Sequence, residues 1–194
     1  MIGFLKDMAI LQKINEFTTK NMGVEVISTK REAVKFAKKY FRGEKIIAAE
    51  IGVFFGYNAR DINRDLNLVK FYLIDPYEKY EDYKNDGAYN LLEKAKKKAH
   101  KINNFKNNIW VEEFSEKAIK KINEEIDFIY IDGNHEYEYI KKDLELYWNK
   151  IRKGGIMAGH DIQYLGVSKA VLEFAKKKNL EVNFGERRDW WIIK

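Results

Sequence analysis

Hydrophobic positions along this chain follow two alternating periods. Short apolar, β-branched and aromatic runs at Lys45–Ile51, Val69–Ile74, Ile109–Phe114, Phe128–Ile131 and Ile156–Ala158 read as strands buried on both faces. Between them the period changes to 3.6 residues. Helices are predicted over Tyr57–Leu66, along the stripe Ala88, Leu91, Leu92, Ala95, Ala99 and Ile102, from Ser115 (as a cap) through Ile122, along Ile140, Leu144, Tyr147, Trp148 and Ile151, and over Val167–Lys177. Gly154 and Gly155 are expected to stop the fourth of these helices. Leu180–Phe184 and Trp190–Ile193, joined by the charged turn Glu186–Asp189, have no helix between them and should pair antiparallel. Ahead of the first strand, Phe4, Met8, Leu11 and Ile14 predict an amphipathic helix over residues 3–19. Thr29 and Glu32 form a capping box for a helix carrying Ala33, Phe36, Ala37, Tyr40 and Phe41. The expectation is one α/β domain: residues 1–44 as helices packed on a sheet domain of residues 45–194, mostly parallel with a C-terminal antiparallel hairpin and helices on both faces.

Each of several strands runs straight into a polar cluster. Helical crossovers between buried strands make them parallel and right-handed, so these clusters emerge at one carboxyl edge, where open α/β sheets bind ligands. At the first tip stands EIGVFFG, in which Glu50, Gly52 and Gly56 suit a backbone turn close to a nucleotide-like ligand. Phe54 occupies the place of a middle glycine, so GxGxxG is absent. Asp75, followed by the chain's single proline, Pro76, is placed to accept hydrogen bonds from ribose hydroxyls and would repel a 2′-phosphate. Glu113, Phe114 and Ser115, past the third strand, are expected beside the base. The fourth and fifth tips carry Asp132, His135, His160 and Asp161. Two carboxylates on neighbouring tips repel unless a cation lies between them, which suggests a divalent ion, Mg²⁺ being favoured by oxygen ligands. His135, with an ordinary pKa near 6.5, can take a proton from a coordinated hydroxyl.

Composition narrows the picture. The absence of cysteine excludes disulfides, thiol catalysis and thiolate metal sites. The net charge of +6 invites a nucleic-acid partner, but the lysines are dispersed over water-facing helix positions, which argues against one. The N-terminal apolar residues are interrupted by Lys6, Asp7, Gln12 and Lys13, so no secretory or membrane segment is expected and the cytoplasm is the default compartment.

An acidic tip on each of the first two strands of such a sheet, closed by a terminal hairpin, resembles the class I S-adenosylmethionine-dependent methyltransferases with their seven-stranded Rossmann-like sheet. EIGVFFGYNA, IDPY, FIYIDGNHEY followed by DLELYW, and GGIMAGHD are similar to the group of macrocin-type O-methyltransferases and cephalosporin hydroxylase-like proteins, more distantly to metal-dependent catechol O-methyltransferases. The resemblance runs from about residue 45 to 194. It implies S-adenosyl-L-methionine as cofactor, held by Glu50, Gly52 and Gly56 on the methionine and ribose side and by Asp75 at the ribose. It further implies Asp132 and Asp161 as ligands of Mg²⁺ or another divalent cation and His135 as general base. His160 stands where relatives often carry an acidic ligand and is the candidate third ligand; Asn58 replaces a frequent serine. The expected activity is O-methylation of a small-molecule hydroxyl. A degenerate nucleoside-binding module, an RNA methyltransferase and an iron redox enzyme built on His135, His160 and a carboxylate are the rivals, and a homo-oligomer stays open.

Overall fold

The structure is a computed structural model that describes residues 31–78, 86–186 and 188–194. The helix expected over residues 3–19, Thr29, and part of the tyrosine-rich connection after Tyr77 lie outside the described residues. Helix α1 spans Glu32–Phe41, followed by strand β1 (Ile46–Ile51), α2 (Tyr57–Asp65), β2 (Leu68–Ile74), α3 (Asp86–Ile102) and β3 (Asn108–Val111). A short α4 (Ser115–Ala118) runs into a 3₁₀ turn. Then come β4 (Ile126–Ile131), α5 (Tyr137–Trp148), β5 (Ile151–Gly159), α6 (Leu165–Lys178), β6 (Asn183–Phe184) and β7 (Trp190–Ile193). The strands form one seven-stranded sheet in the order β3-β2-β1-β4-β5-β7-β6. β1 to β5 pair in parallel and β7 is antiparallel to both neighbours, a Rossmann-like sheet of mixed type.

Period-two alternation divides the core between the two faces. Ala48, Phe71, Leu73, Phe128, Tyr130, Ile156 and Ala158 pack under α1, α2 and α3. Ala49, Ile51, Ile129, Ile131, Met157, Trp190 and Ile192 pack under α4, α5 and α6. Each fully buried large side chain of this kind contributes about 1.5–3 kcal/mol of transfer free energy. Among the described residues, no helix is long and apolar enough to cross a membrane.

Local signals gave way to tertiary ones at several points. Glu32 is the first residue of α1 rather than the third position of a capping box, and Arg31 at the N-cap makes no side-chain cap bond. The Asp189 carboxylate does that work from the far end of the chain, accepting from the Ala33 amide at 2.9 Å. α5 ends at Trp148, so Gly154 and Gly155 do not stop it; they lie inside β5. There they accommodate an irregularity opposite Ile126–Phe128, where a Cβ on Gly155 would sit 2.6 Å from Ile151 Cγ2, the usual meaning of glycine within a strand. β3 stops at Val111, short of the expected Phe114, and Phe114 rather than Ser115 is the N-cap of the helix that follows.

Gly52 ties β1 to β4. Its φ is +85°, and a Cβ there would lie 2.2 Å from the Asp132 carbonyl oxygen. Gly52→Ala is therefore expected to destabilise the protein by more than about 1–3 kcal/mol, since both strain and a backbone collision act. Thermal denaturation checks this, and an unchanged midpoint would overturn the close-packing account.

Candidate functional site

Backbone pairing continues one residue past the strands and sets the rim of the site. The Gly52 amide donates to Ile74, Asp75 to Val111, Asp132 to Ile51 and His160 to Ile131, at 2.8–3.2 Å. These bonds hold the tip residues in a row above a cavity of about 350 Å³. Glu50, Gly52, Phe54, Gly56, Asp75 and Pro76 line one part of it, Phe114 and Ser115 another, and Asp132, His135 and His160 the remainder. Asp161 stands behind the two histidines, 1% exposed. Glu113 does not reach the cavity: the first residue beyond the rim there points away and pairs with Lys121 at 2.8 Å.

Glu50 is 1% exposed. Its Oε1 accepts from Asn58 Nδ2 at 2.8 Å, and its Oε2 is buried with no hydrogen-bond partner among the described residues. Burial pushes this carboxyl well above the ordinary range, offset in part by Asn58. Asp75 is raised for the same reason, less strongly, because backbone amides oppose it. Phe54 N donates to Oδ2 and Tyr77 N to Oδ1, both at 2.8 Å. Asp75 therefore shapes the turn at Phe54, whose φ of +47° is left-handed, while each oxygen retains a lone pair for a ligand hydroxyl. Gly56, at φ +75°, lets α3 approach: a Cβ would lie 3.0 Å from Ala99.

The other end of the cavity is a charge network. His135 Nε2 lies 2.9 Å from Asp161 Oδ2, and His160 Nδ1 lies 3.0 Å from Asp161 Oδ1. Gln163 also donates to Oδ1, at 2.8 Å. Burial alone would raise Asp161, but the two imidazoles drive it far below the ordinary carboxylate range. Burial opposes charge on His135, and Asp161 outweighs it, so that imidazole is raised. Arg31 Nη2 donates to Asp132 Oδ2 at 3.3 Å, and its Nη1 lies 3.9 Å from Asp189 Oδ1. Arg31 and Asp143, which also line the cavity, were not singled out as site residues from sequence. Arg31 carries no motif around it; Asp143 sits in DLELYW, where it reads as the polar face of a helix.

Donor atoms of Asp132, His135 and Asp161 lie within 4.8 Å of one another, near enough to share one cation. The set differs from that inferred by resemblance, with His135 where His160 was expected; His160 Nδ1 is 3.9 Å from Asp132 Oδ1. Two carboxylates and an imidazole fit a divalent ion of mixed nitrogen and oxygen preference better than Mg²⁺, which favours oxygen alone.

A family model described as a methyltransferase domain matches residues 49–162. A search of curated proteins finds no match. Among solved structures, the chain is similar to a candidate caffeoyl-CoA O-methyltransferase from Staphylococcus aureus, with 16% identity, 99% of this chain and 98% of that one covered, and a TM-score of 0.59. It is also similar to the O-methyltransferase NovP, with 14% identity, 84% and 78% covered, and a TM-score of 0.63. A candidate methyltransferase from Streptococcus mutans in complex with SAH gives 16% identity, 85% and 97% covered, and a TM-score of 0.58. At these identities the likeness shows the fold.

The raised Glu50 carboxyl has a pH signature. An acid whose folded pKa exceeds its unfolded value costs nothing below the unfolded value, and destabilises progressively as pH rises above it. Glu50→Gln is thus expected to melt about 2–4 °C above the parent near pH 7.5, with the difference vanishing near pH 4. Parallel melting curves at both pH values would remove Glu50 as a buried, unpaired acid.

Proposed function

The chain belongs to the methyltransferase-domain family matched over residues 49–162, and from that premise we propose that it transfers a methyl group from S-adenosyl-L-methionine to a hydroxyl of a small molecule, assisted by a divalent cation, as in the macrocin-type group. The observation that carries this reading is one cavity bounded at one end by Glu50 and Asp75 and at the other by Asp132 and His135. A buried carboxylate oxygen without a partner among the described residues, Glu50 Oε2, suits a ligand that brings both positive charge and hydrogen-bond donors, as the amino acid and ribose of a sulfonium nucleoside do.

Methyl transfer is an in-line displacement. The acceptor oxygen bonds to the methyl carbon, the carbon–sulfur bond breaks, the sulfonium becomes a neutral thioether, and the hydroxyl proton leaves. In this chain Glu50 and Asp75 position the donor, and alignment alone contributes several kcal/mol. His135, its ring held by Asp161, takes the acceptor proton. Asp132 and Asp161 would hold a cation, with His160 completing the set where His135 serves as the base; bound there, such an ion lowers the pKa of a coordinated hydroxyl. Arg31 holds Asp132 in place from the side of α1.

Calorimetry with S-adenosylhomocysteine and a turnover assay over a panel of hydroxylated acceptors test the reading. Asp75→Ala is expected to weaken the nucleoside about tenfold or more, whereas Asp132→Asn and His135→Gln should leave its affinity within about threefold and slow transfer by about 10²-fold or more. Tight nucleoside binding without turnover over the whole panel would favour a binding module, and full activity in EDTA would remove the cation.

A further inference from the structure

Arg31 is the N-cap of α1, and the helix does not account for its charge. It makes no side-chain cap hydrogen bond, and a positive side chain at a helix N-terminus opposes the macrodipole, which favours an anion there. The Asp189 carboxylate caps α1 instead, through the Ala33 amide. The guanidinium reaches across to the tip of β4, where Nη2 donates to Asp132 Oδ2 at 3.3 Å, and Nη1 lies 3.9 Å from Asp189 Oδ1. The side chains of Arg31 and Asp132 are 26% and 17% exposed, so solvent screens the pair only weakly. Burial works against the charge on Arg31, and the surrounding carboxylates, Asp132 foremost, outweigh it and hold the guanidinium above its ordinary value.

The two imidazoles serve the other carboxylate. His135 Nε2 and His160 Nδ1 lie 2.9 and 3.0 Å from Asp161, whereas His160 Nδ1 is 3.9 Å from Asp132. Asp161 is thus matched by rings that can themselves turn to a metal ion as ligands. Asp132 is matched by a guanidinium, which is charged at every working pH and has no lone pair to offer an ion. A divalent ion arriving between the two carboxylates meets a fixed positive charge already bonded to one of them. Resting on the reading that Asp132 and Asp161 hold a cation, we propose that Arg31 is the resident counter-ion of Asp132, and that cation binding and the Arg31–Asp132 ion pair oppose each other. The opposition is reciprocal, since two coupled equilibria weaken each other by the same factor. Arg31 also opens α1, its carbonyl accepting from the Lys35 amide at 3.1 Å. Loading the ion therefore weakens the contact that ties the entry of α1 to the tip of β4.

The test is calorimetry of the full chain with Mn²⁺ as the probe, for the parent, Arg31→Gln and Arg31→Lys, at one pH and ionic strength. Arg31→Gln keeps an amide that can donate to Asp132 and removes the charge, so it should bind Mn²⁺ about tenfold more tightly than the parent, within the usual range of such couplings. Arg31→Lys keeps the charge and should stay within about threefold of the parent. A residue that only positioned Asp132 would give the reverse, with both variants binding the ion more weakly. Adding Asp132→Asn to Arg31→Gln should abolish the gain, which places the ion at that carboxylate. Equal or weaker binding by Arg31→Gln, a gain shared by Arg31→Lys, or a gain that survives Asp132→Asn overturns the inference while leaving the cation reading standing. No Mn²⁺ binding by the parent or by Arg31→Gln overturns both. Where a variant does not fold, the parent decides: by nitrogen-labelled NMR, the Arg31 Nε–H should exchange with solvent faster as diamagnetic Zn²⁺ saturates the site, and unchanged or increased protection overturns the proposal.

Discussion

The register of the parallel ladder is the constraint on which the rest depends. Ile74 pairs with Val111 and with Ile51, Ile51 with Ile131, and Ile131 with Gly159. These residues form one row across five strands, and the next residue of each, Gly52, Asp75, Glu112, Asp132 and His160, necessarily forms the rim above it. Because side chains alternate faces with a period of two, a slip of one residue in any pair would exchange the side chains packed in the two cores and move the tip residue off the rim. Core packing therefore enforces the functional geometry: the apolar residues that fill the two faces also fix which polar residues stand together at the edge.

The acceptor end adds a second layer, built from charges that neutralise one another across the chain. Asp189 accepts from the Ala33 amide and from the Tyr130 hydroxyl, and lies within ion-pair range of Arg31 and His160. One buried carboxylate thus fastens the start of α1, the carboxyl end of β4 and the entry to β7. Removing a single member of such a set leaves the others buried and unpaired, so it is more demanding of geometry than a hydrophobic contact of equal area. Arg31 belongs to it through Asp132, which links the segment preceding the sheet to the candidate reaction centre.

How much of this was legible in the sequence follows from the range of each signal. The strands, their parallel order and the acidic tips were readable because burial on two faces leaves apolar runs that end abruptly at polar residues, as at Ile74–Asp75 and Ile131–Asp132. Boundaries failed where a local signal competed with a distant partner. Gly154 and Gly155 look like a helix stop, yet they serve β5, where Lys194 exchanges backbone hydrogen bonds with both. The cap of α1 comes from Asp189, 156 residues away, and no local pattern announces it. Asp143 had the same defect: it looks ordinary on the polar face of its own helix, and only the crossing of α4 with α5 sets it against Ser115, the residue the sequence did mark. Glu113 shows the converse, since proximity in sequence to a strand tip does not settle which way a side chain points.

The two ends of the cavity treat their carboxyl groups in opposite ways, and this follows from what surrounds them. Glu50, Asp75 and Asp143 are raised by burial, their partners being uncharged amides and hydroxyls. Asp161 is lowered by two imidazoles despite its burial. Groups of the first kind gain most when a cationic or donor-rich ligand arrives, because the ligand supplies the stabilisation that the protein withholds. A group of the second kind is already satisfied and stays ionised, able to hold a ring or a cation in one orientation while a proton moves nearby. Environments that separate titratable groups in this manner divide binding from proton transfer. Here the raised acids of the cavity wall spread from β1 outward past β3 and the lowered one stands at the tip of β5, while Asp189, which fastens the network from outside the cavity, is raised by burial with the Ala33 amide and the Tyr130 hydroxyl opposing.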